Sequence, residues 1–329
     1  MSSASKLNLL GHIALIGLGE IGISFAALYL GYTNSCVHVF DTRSDLESHI
    51  SAVLPGYLDS HDSSTEVTQL RASGRLKLCS SVEEACAGAA IVHEQGPENL
   101  AFKRSIWVQI EACAPPTTYF WSSTSGIPAS LQNQDMAVKT RLLVVHPFNP
   151  PHIVPLIEIV PSKNTAADQV TFAKDFFAGL GSGHRPIVVQ KEVPGFVANR
   201  LAYAMLREAC SLVDQGVCSV QDVDEVVMAS VGPRWAVQGL FNSYNMGGGA
   251  AGLQHFFNKL AGTIQDVWDS SAPVDFNMAR STEPATQKVD SNRGWESNVV
   301  RQTHEAYGYP TPAQYKERDI KLIKVVALQ

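Results

Sequence analysis

The segment HIALIGLGEIG, residues 12–22, joins an apolar, β-forming run to a glycine-rich turn. Gly17, Gly19 and Gly22 have the GxGxxG spacing, and the helical pattern EIGISFAALYLG follows at residues 20–31. In such a turn the first glycine permits a tight reversal, the second lets a pyrophosphate approach the backbone, and the third lets the helix pack closely on the strand. The motif alone is weak evidence, because glycines at these intervals also occur in simple strand–helix turns.

A second predicted strand, CVHVFD at residues 36–41, ends in Asp41. An acidic residue at this point accepts hydrogen bonds from ribose hydroxyls and disfavours a 2′-phosphate. The strand, the turn, the helix and Asp41 together predict dinucleotide binding, with NAD favoured over NADP. The nearby Arg43 could neutralise an additional phosphate, although a solvated surface charge is the simpler interpretation of this residue.

Strand patterns and helix patterns alternate over the first 190 or so residues. This alternation predicts an α/β fold in which a doubly wound, mostly parallel, Rossmann-type sheet is covered by helices on both faces. One of the helices is predicted at 97–113, with Pro97 in its first turn. Further strands are predicted at 75–81, 89–95, 118–124 and 141–146.

The pattern becomes helical after about residue 192. We therefore expect a NAD-binding domain at 1–192 and an all-helical domain at 193–329. Ser219 and Asp222 have the spacing of a capping box, and loops are expected at 270–295. The predicted helices cover 194–216, 219–232, 250–269 and 311–328.

Composition and charge exclude several classes of protein. The chain has 329 residues, a net charge of −6 and no basic block, which argues against binding to nucleic acid or to an anionic membrane. No apolar run approaches the roughly 20 residues of a spanning helix, and the polar N-terminus does not resemble a signal peptide. The six cysteines form no CxxC pair, and no Cys/His cluster has zinc spacing. We expect reduced thiols, no metal and a cytoplasmic location.

The segment HPFNPPHIVPLIEIV, residues 146–160, combines two ionisable groups with two apolar strands. His146 ends the first strand, at the edge where open α/β sheets bind ligands. Glu158 lies within the second strand, where a carboxylate is costly unless it is paired. A reversal between the strands would make the pair a general base and its orienting carboxylate. The spacing alone fits equally well with a structural histidine and a solvated glutamate.

The glycine turn, SSTS (122–125), the 146–160 segment and PGFVANRL (194–201) together resemble the L-3-hydroxyacyl-CoA dehydrogenase superfamily, over about residues 10–260. The proline-rich segment and QKEVPGFVANRLAYAMLREACSLVDQGV (190–217) are more similar to its branch containing lambda-crystallin (L-gulonate 3-dehydrogenase) and L-carnitine dehydrogenase. The resemblance implies NAD-dependent oxidation of a small 3-hydroxy acid, such as L-gulonate or L-carnitine, to the 3-keto acid. It also implies that the helical domain at 193–329 serves substrate binding and forms a homodimer.

The resemblance implies a role for each matching catalytic position. It makes His146 the general base, Glu158 its carboxylate partner, Ser125 the residue that hydrogen-bonds the substrate oxygen, and Asn199 a residue facing the reacting group. Two simpler interpretations come from the residues themselves. Ser125 could cap a helix within the turn-forming sequence TSGIP, and Asn199 could be an ordinary buried polar residue of a helix.

The resemblance also implies contacts with the cofactor outside the glycine turn. Glu98 and Lys103 match a pair near the ribose and nicotinamide end of the cofactor, and Asn149 matches an asparagine near the nicotinamide. Glu98 and Lys103 are five positions apart on the predicted 97–113 helix, so both could instead be solvated charges.

The substrate is less well defined than the chemistry. The segment 232–256 departs from the pattern of the acyl-CoA enzymes, which puts a coenzyme A thioester in doubt. Arg234 could bind a carboxylate, and Trp235 with Phe241 and Tyr244 could surround a quaternary ammonium. Core or dimer packing is the simpler role for these aromatic residues. The alternatives are a 3-hydroxyacyl-CoA dehydrogenase and a non-catalytic, crystallin-like or NADH-binding protein.

Overall fold

The computed structural model of the chain describes residues 9–58, 67–271, 274–276 and 294–329. The described residues up to Arg200 form one compact unit, and those from Leu201 onward form another. This division falls eight residues after the boundary expected at 192–193. The expected boundary between the NAD-binding and helical domains stays a prediction. Most of the loop predicted at 270–295 lies outside the described residues.

The first unit contains one eight-stranded sheet in the order β3-β2-β1-β4-β5-β6-β7-β8. All neighbouring strands are parallel except β6 and β7, which are antiparallel. The predicted mostly parallel, doubly wound sheet is therefore confirmed. The strands are β1 (His12–Ile16), β2 (Val37–Phe40), β3 (Leu76–Leu78), β4 (Ala89–Glu94), β5 (Tyr119–Ser122), β6 (Leu142–Pro147), β7 (Leu156–Pro161) and β8 (Arg185–Val188).

Helices cover both faces of this sheet. Ile13 and Leu15 belong to an apolar cluster with α1, α2 and α7, whereas Ala14 and Ile16 belong to a second cluster with α4 and α5. Because successive strand residues point to opposite faces, β1 is buried on both sides. The helices are α1 (Glu20–Tyr32), α2 (Leu46–Leu58), α3 (Val67–Ala72), α4 (Val82–Cys86), α5 (Leu100–Cys113), α6 (Ala129–Gln132) and α7 (Ala167–Gly179).

Every element described after β8 is helical, as predicted. The capping box of α9 is confirmed, because the Ser219 and Asp222 side chains each bond the backbone N–H of the other residue. No described helix has both the length and the apolar character needed to cross a bilayer. The helices are α8 (Ala198–Asp214), α9 (Val220–Ala229), α10 (Val231–Gln238), α11 (Leu240–Gly247), α12 (Gly252–Ser270), α13 (Gly294–Tyr307) and α14 (Pro312–Val326).

Two predicted helix starts were wrong. The helix expected from Pro194 begins at Ala198, because Gly195 and Phe196 have positive φ angles of 73° and 52° that no right-handed helix can include. The helix expected from Pro97 begins at Leu100, after the Asn99 side chain accepts a hydrogen bond from the backbone of the first turn.

Candidate active site

The glycine turn after β1 has the geometry that the sequence predicted. A Cβ on Gly22 would lie 2.0 Å from the Gly17 carbonyl oxygen, and a Cβ on Gly17 would lie 2.9 Å from the Gln95 backbone. Gly17 also has a φ of 101°, so neither position accepts a side chain. A Cβ on Gly19 would meet no described atom within 4 Å. The turn therefore leaves open space over its second glycine, where a pyrophosphate fits.

The groups around this turn suit an anionic dinucleotide. None of the described side chains caps the N-terminus of α1, which leaves its positive end available to a phosphate. Asp41 follows β2, and its carboxylate accepts hydrogen bonds from Leu18 N at 2.6 Å and from Arg43 N at 2.8 Å. The Arg43 guanidinium donates two hydrogen bonds to the Asp45 carboxylate in an ion pair at the surface, which agrees with the simpler interpretation of Arg43. These groups fit NAD.

His146 and Glu158 are directly opposite each other in the antiparallel pair of β6 and β7. His146 Nδ1 lies 2.8 Å from Glu158 Oε2, and both residues are buried, with 3% and 2% of their surface exposed. The predicted contact is therefore confirmed, although the catalytic role of the pair stays a prediction. Because the Glu158 carboxylate accepts a hydrogen bond from Nδ1–H, the other ring nitrogen, Nε2, carries the lone pair of the neutral imidazole.

The second carboxylate oxygen of Glu158 is also bound. Oε1 accepts hydrogen bonds from the backbone N–H groups of Val197 at 2.8 Å and Ala198 at 3.1 Å, where α8 begins. Burial alone would raise the pKa of Glu158, but the hydrogen bonds from His146 and from these two N–H groups outweigh it and lower the pKa. Glu158 therefore stays ionised beside the imidazole.

Ser125, Asn199 and Glu98 lie together in the structure. The Asn199 side-chain amide donates to the Ser125 carbonyl at 3.0 Å, and the Ser125 N–H donates to Glu98 Oε1 at 3.1 Å. Ser125 is exposed, whereas Asn199 is buried. Ser125 therefore does not cap α6, whose N-cap is Pro128. The catalytic roles implied by the resemblance remain predictions.

Lys103 is not a solvated charge, which corrects one of the two interpretations from the sequence. Its ammonium is 2.9 Å and 3.0 Å from the two carboxylate oxygens of Glu94 and 3.2 Å from the Gly96 carbonyl oxygen. The side chains of Lys103 and Glu94 are 1% and 0% exposed. All three protons of the ammonium are thus used inside the protein, so any influence on the cofactor passes through the loop after β4.

Sequence reasoning missed Glu94 as a member of this site. Its carboxylate also accepts from Gly96 N at 2.6 Å and from the Ser122 hydroxyl at 3.2 Å. It therefore joins the ends of β4 and β5, which lead into the loops carrying Glu98 and Ser125. The signal in the sequence was the single carboxylate of the apolar run AAIVHE. Like Glu158, a carboxylate buried in a strand requires a partner because its desolvation is costly.

The other predicted residues are Asn149 in the first unit and Arg234 and Trp235 in the second. Asn149 is exposed and precedes a cis peptide bond to Pro150. Arg234 and Trp235 lie on α10 in the second unit, with Arg234 exposed and Trp235 half-buried. In the described part of the chain, the ring of Tyr244 packs on Phe256 at 5.0 Å between centroids. The described residues contain no cluster of three His, Cys, Asp or Glu side chains that could hold a metal.

The fold and the glycine turn define a dinucleotide-binding protein, and comparison with known proteins gives its family. The description "3-hydroxyacyl-CoA dehydrogenase, NAD binding domain" matches residues 12–193, and "3-hydroxyacyl-CoA dehydrogenase, C-terminal domain" matches residues 195–280. The chain therefore belongs to the 3-hydroxyacyl-CoA dehydrogenase family. It is an NAD-dependent dehydrogenase of the branch that includes L-carnitine dehydrogenases.

Individual relatives agree with this assignment. An L-carnitine dehydrogenase of Mesorhizobium japonicum is 33% identical over 290 residues, which cover 88% of this chain and 79% of the relative. A 3-hydroxyacyl-CoA dehydrogenase of Gibberella moniliformis is 31% identical over 324 residues, which cover 96% and 94%. Among solved structures, an NAD+-dependent dismutase described as 5-formyl-3-hydroxy-2-methylpyridine 4-carboxylic acid 5-dehydrogenase has a TM-score of 0.73 and 27% identity, with 97% of each chain covered.

Proposed function

We propose that this chain oxidises the hydroxyl group of a small 3-hydroxy acid to the 3-keto acid, with His146 as the general base. The observation that carries the proposal is the buried pairing of His146 Nδ1 with Glu158 Oε2 at 2.8 Å, in a strand that ends at the ligand-binding edge of the sheet. Binding of NADH alone does not require a buried imidazole whose orientation is fixed by a carboxylate. This pairing favours an enzyme over the non-catalytic alternative.

The two side chains divide the work of proton transfer. Glu158 accepts a hydrogen bond from Nδ1–H, which fixes the tautomer in which Nε2 accepts the hydroxyl proton of the substrate. The ionised carboxylate then stabilises the imidazolium. When bound, NAD supplies the acceptor for the hydride that leaves C3 of the substrate. In the reverse reaction the imidazolium returns the proton to the ketone oxygen.

The residues proposed to hold NAD lie along the ends of β1, β2 and β4. Gly17, Gly19 and Gly22 would hold the pyrophosphate at the start of α1, and Asp41 would accept the hydroxyls of the adenosine ribose. Glu98 and Asn149 would lie at the nicotinamide end, as the resemblance implies. Lys103 would act there only through Glu94 and the loop after β4.

Ser125 and Asn199 are the proposed residues for the substrate oxygen. No described residue bonds the Ser125 hydroxyl, so it is free to donate to an alcohol or ketone oxygen. Asn199 is fixed beside it by its bond to the Ser125 carbonyl. Together with His146, these groups would hold the reacting oxygen and remove its proton.

L-Carnitine is the substrate type that we favour. Several relatives with about one third identity are named L-carnitine dehydrogenases. We propose that Arg234 binds the carboxylate and that Trp235 contributes to the surface for a quaternary ammonium. L-Gulonate is the other free acid that we consider. A thioester of coenzyme A is the second candidate, because the Gibberella moniliformis relative named as a 3-hydroxyacyl-CoA dehydrogenase matches 96% of this chain.

Reduction of NAD in the presence of L-carnitine, L-gulonate, 3-hydroxybutyrate and 3-hydroxybutyryl-CoA would test this proposal. We expect turnover with a free acid and little with the thioester, and the reverse result would select the second candidate. His146→Gln should lower kcat by roughly two to four orders of magnitude, the usual contribution of a general base, while NADH binding stays unchanged. His304→Gln, at an exposed helical histidine, is the control. Full activity of His146→Gln would contradict the mechanism.

The helical unit is the proposed surface for a homodimer. Its helices α9, α10, α12, α13 and α14 contain no fully buried residue. Large apolar side chains are exposed instead, among them Met228 (71%), Val237 (84%), Phe241 (73%) and Trp268 (68%). Exposed apolar area of this kind is typical of an interface. Light scattering should give twice the chain mass of 35.6 kDa.

We also propose a cytoplasmic location and a functional boundary at residues 192–193.

A further inference from the structure

One oxygen of Glu98 binds the whole turn that carries Ser125. Oε1 accepts hydrogen bonds from Ser125 N at 3.1 Å and Gly126 N at 3.0 Å, and the Thr124 hydroxyl donates to the same oxygen. Consecutive backbone N–H groups that point to one anion form a concave anion-binding site. Glu98 directly precedes Asn99, whose side chain caps α5, so the backbone that carries the carboxylate is itself fixed.

The other side of Ser125 is held by a different segment. Its carbonyl accepts from the Asn199 amide at 3.0 Å, and Asn199 is 7% exposed. The peptide N–H before the Ser125 Cα and the carbonyl after it are therefore each bonded to a side chain. A change in φ or ψ of Ser125 breaks one of these two bonds. Since the backbone sets the direction of the Cα–Cβ bond, the pair also fixes where the Ser125 side chain begins.

We propose that Glu98 is a positioning residue that orients Ser125 through Oε1. This proposal rests on the proposed function only in taking Ser125 as the residue that binds the substrate oxygen. No described residue bonds the second oxygen, Oε2, which leaves it available for the cofactor contact that the resemblance implies. The positioning role therefore adds to that contact and is tested separately from it.

The turn would loosen without Glu98 but would not unfold. The Thr124 hydroxyl oxygen also accepts from Ile127 N at 3.0 Å and from Gly126 N at 3.3 Å. These bonds close the turn locally, in the manner of a Ser/Thr turn. Removal of the exposed Glu98 side chain leaves them in place, so a Glu98→Ala variant should fold and show the effect of the lost carboxylate alone.

Glu111, on α5, provides a matched control. Its carboxylate accepts from Ala137 N and Val138 N, both at 2.7 Å. It therefore makes a similar contact, one carboxylate bonded to two consecutive backbone N–H groups, at a turn that carries none of the proposed catalytic residues. A general effect of removing such a contact would appear equally in Glu98→Ala and Glu111→Ala.

Hydrogen exchange measured by mass spectrometry would test the positioning role directly. In Glu98→Ala, exchange in a peptide spanning 120–130 should become at least about fivefold faster, because one hydrogen bond to a carboxylate contributes of the order of 1 kcal/mol. Glu98→Gln, which keeps the acceptor oxygen, should recover most of the protection. In Glu111→Ala only a peptide spanning 133–142 should exchange faster.

Kinetics with L-carnitine and NADH titrations complete the test. Glu98→Ala should lower kcat by about 10- to 100-fold, the cost of a misplaced group, with a smaller change in KM, and Glu98→Gln should recover it. Glu111→Ala should keep the wild-type kcat. Unchanged exchange at 120–130 in Glu98→Ala would overturn the proposal. If Glu98→Gln binds NADH as tightly as the wild type, recovery of exchange without recovery of kcat would overturn it as well. Exchange does not depend on turnover, so an inactive wild-type protein would contradict the proposed function and not this result.

Discussion

Replacement of Lys103 by methionine should destabilise the first unit strongly. Methionine keeps the apolar stem and much of the volume of lysine but has no ammonium. Glu94, which is 0% exposed, would then keep only the hydrogen bonds from Gly96 N and the Ser122 hydroxyl. A buried carboxylate without its cation has lost the Coulombic attraction that offsets its desolvation.

The size of the expected loss of stability follows from the nearly complete burial of Lys103 and Glu94. Breaking a buried ion pair by removal of one partner typically costs about 3–5 kcal/mol. The free energy of unfolding of an ordinary domain is only about 5–15 kcal/mol. In a unit of about 200 residues, each kcal/mol lowers Tm by about 2–4 °C. We therefore expect Lys103→Met to lower Tm by roughly 6–20 °C.

Lys77→Met is the matched control for this experiment. Lys77 forms an ion pair with Glu84 at 3.0 Å, but the two side chains are 47% and 36% exposed, so water screens the attraction. Urea unfolding followed by circular dichroism should show a far smaller change for Lys77→Met. The double variant Glu94→Gln/Lys103→Met, which removes both charges, should recover part of the stability. Equal losses in Lys103→Met and Lys77→Met would refute the reasoning.

Three further changes have defined outcomes. Gly22→Ala should abolish NADH binding in a fluorescence titration, because the methyl group would lie 2.0 Å from the Gly17 carbonyl oxygen, whereas Gly262→Ala, with no described atom within 4 Å, should leave binding unchanged. Asp41→Ala should reduce the ratio of kcat/KM for NAD to that for NADP, and an unchanged ratio would exclude Asp41 as the selector. Burial lowers the pKa of His93 from 6.5 to about 3, so below pH 6.5 the unfolded chain binds a proton that the folded chain does not. The wild-type protein should therefore lose roughly 2 kcal/mol of stability between pH 6.5 and 5 that His93→Gln retains, as measured by urea unfolding at each pH.

The sequence predicted the parts of the site that depend on local backbone rules. Gly17 and Gly22 were identifiable because no other residue fits a positive φ or so close an approach of helix and strand. His146 and Glu158 were identifiable because a carboxylate inside an apolar strand requires a partner. In both cases the chemistry of one residue restricts what its neighbours can be.

The sequence did not reveal contacts that depend on packing between distant segments. The choice of Glu94 as the partner of Lys103 depends on how α5 packs against β4, which no spacing rule encodes. Phe196 was read as helical because a positive φ at a non-glycine residue leaves no signal in the sequence. The pairing of Arg43 with Asp45 is short in sequence, but it depends on the conformation of a loop.

The opposition of His146 and Glu158 in one ladder also protects the alignment of the sheet during folding. Side chains alternate between the two faces of a strand, so a shift of β7 by a single residue against β6 would send Glu158 to the opposite face. That face is filled by the apolar cluster containing Val145 and Ile157. Burial of a carboxylate there without the imidazole would be energetically costly. The residue proposed to orient the general base would therefore also disfavour a misaligned pairing of β6 and β7.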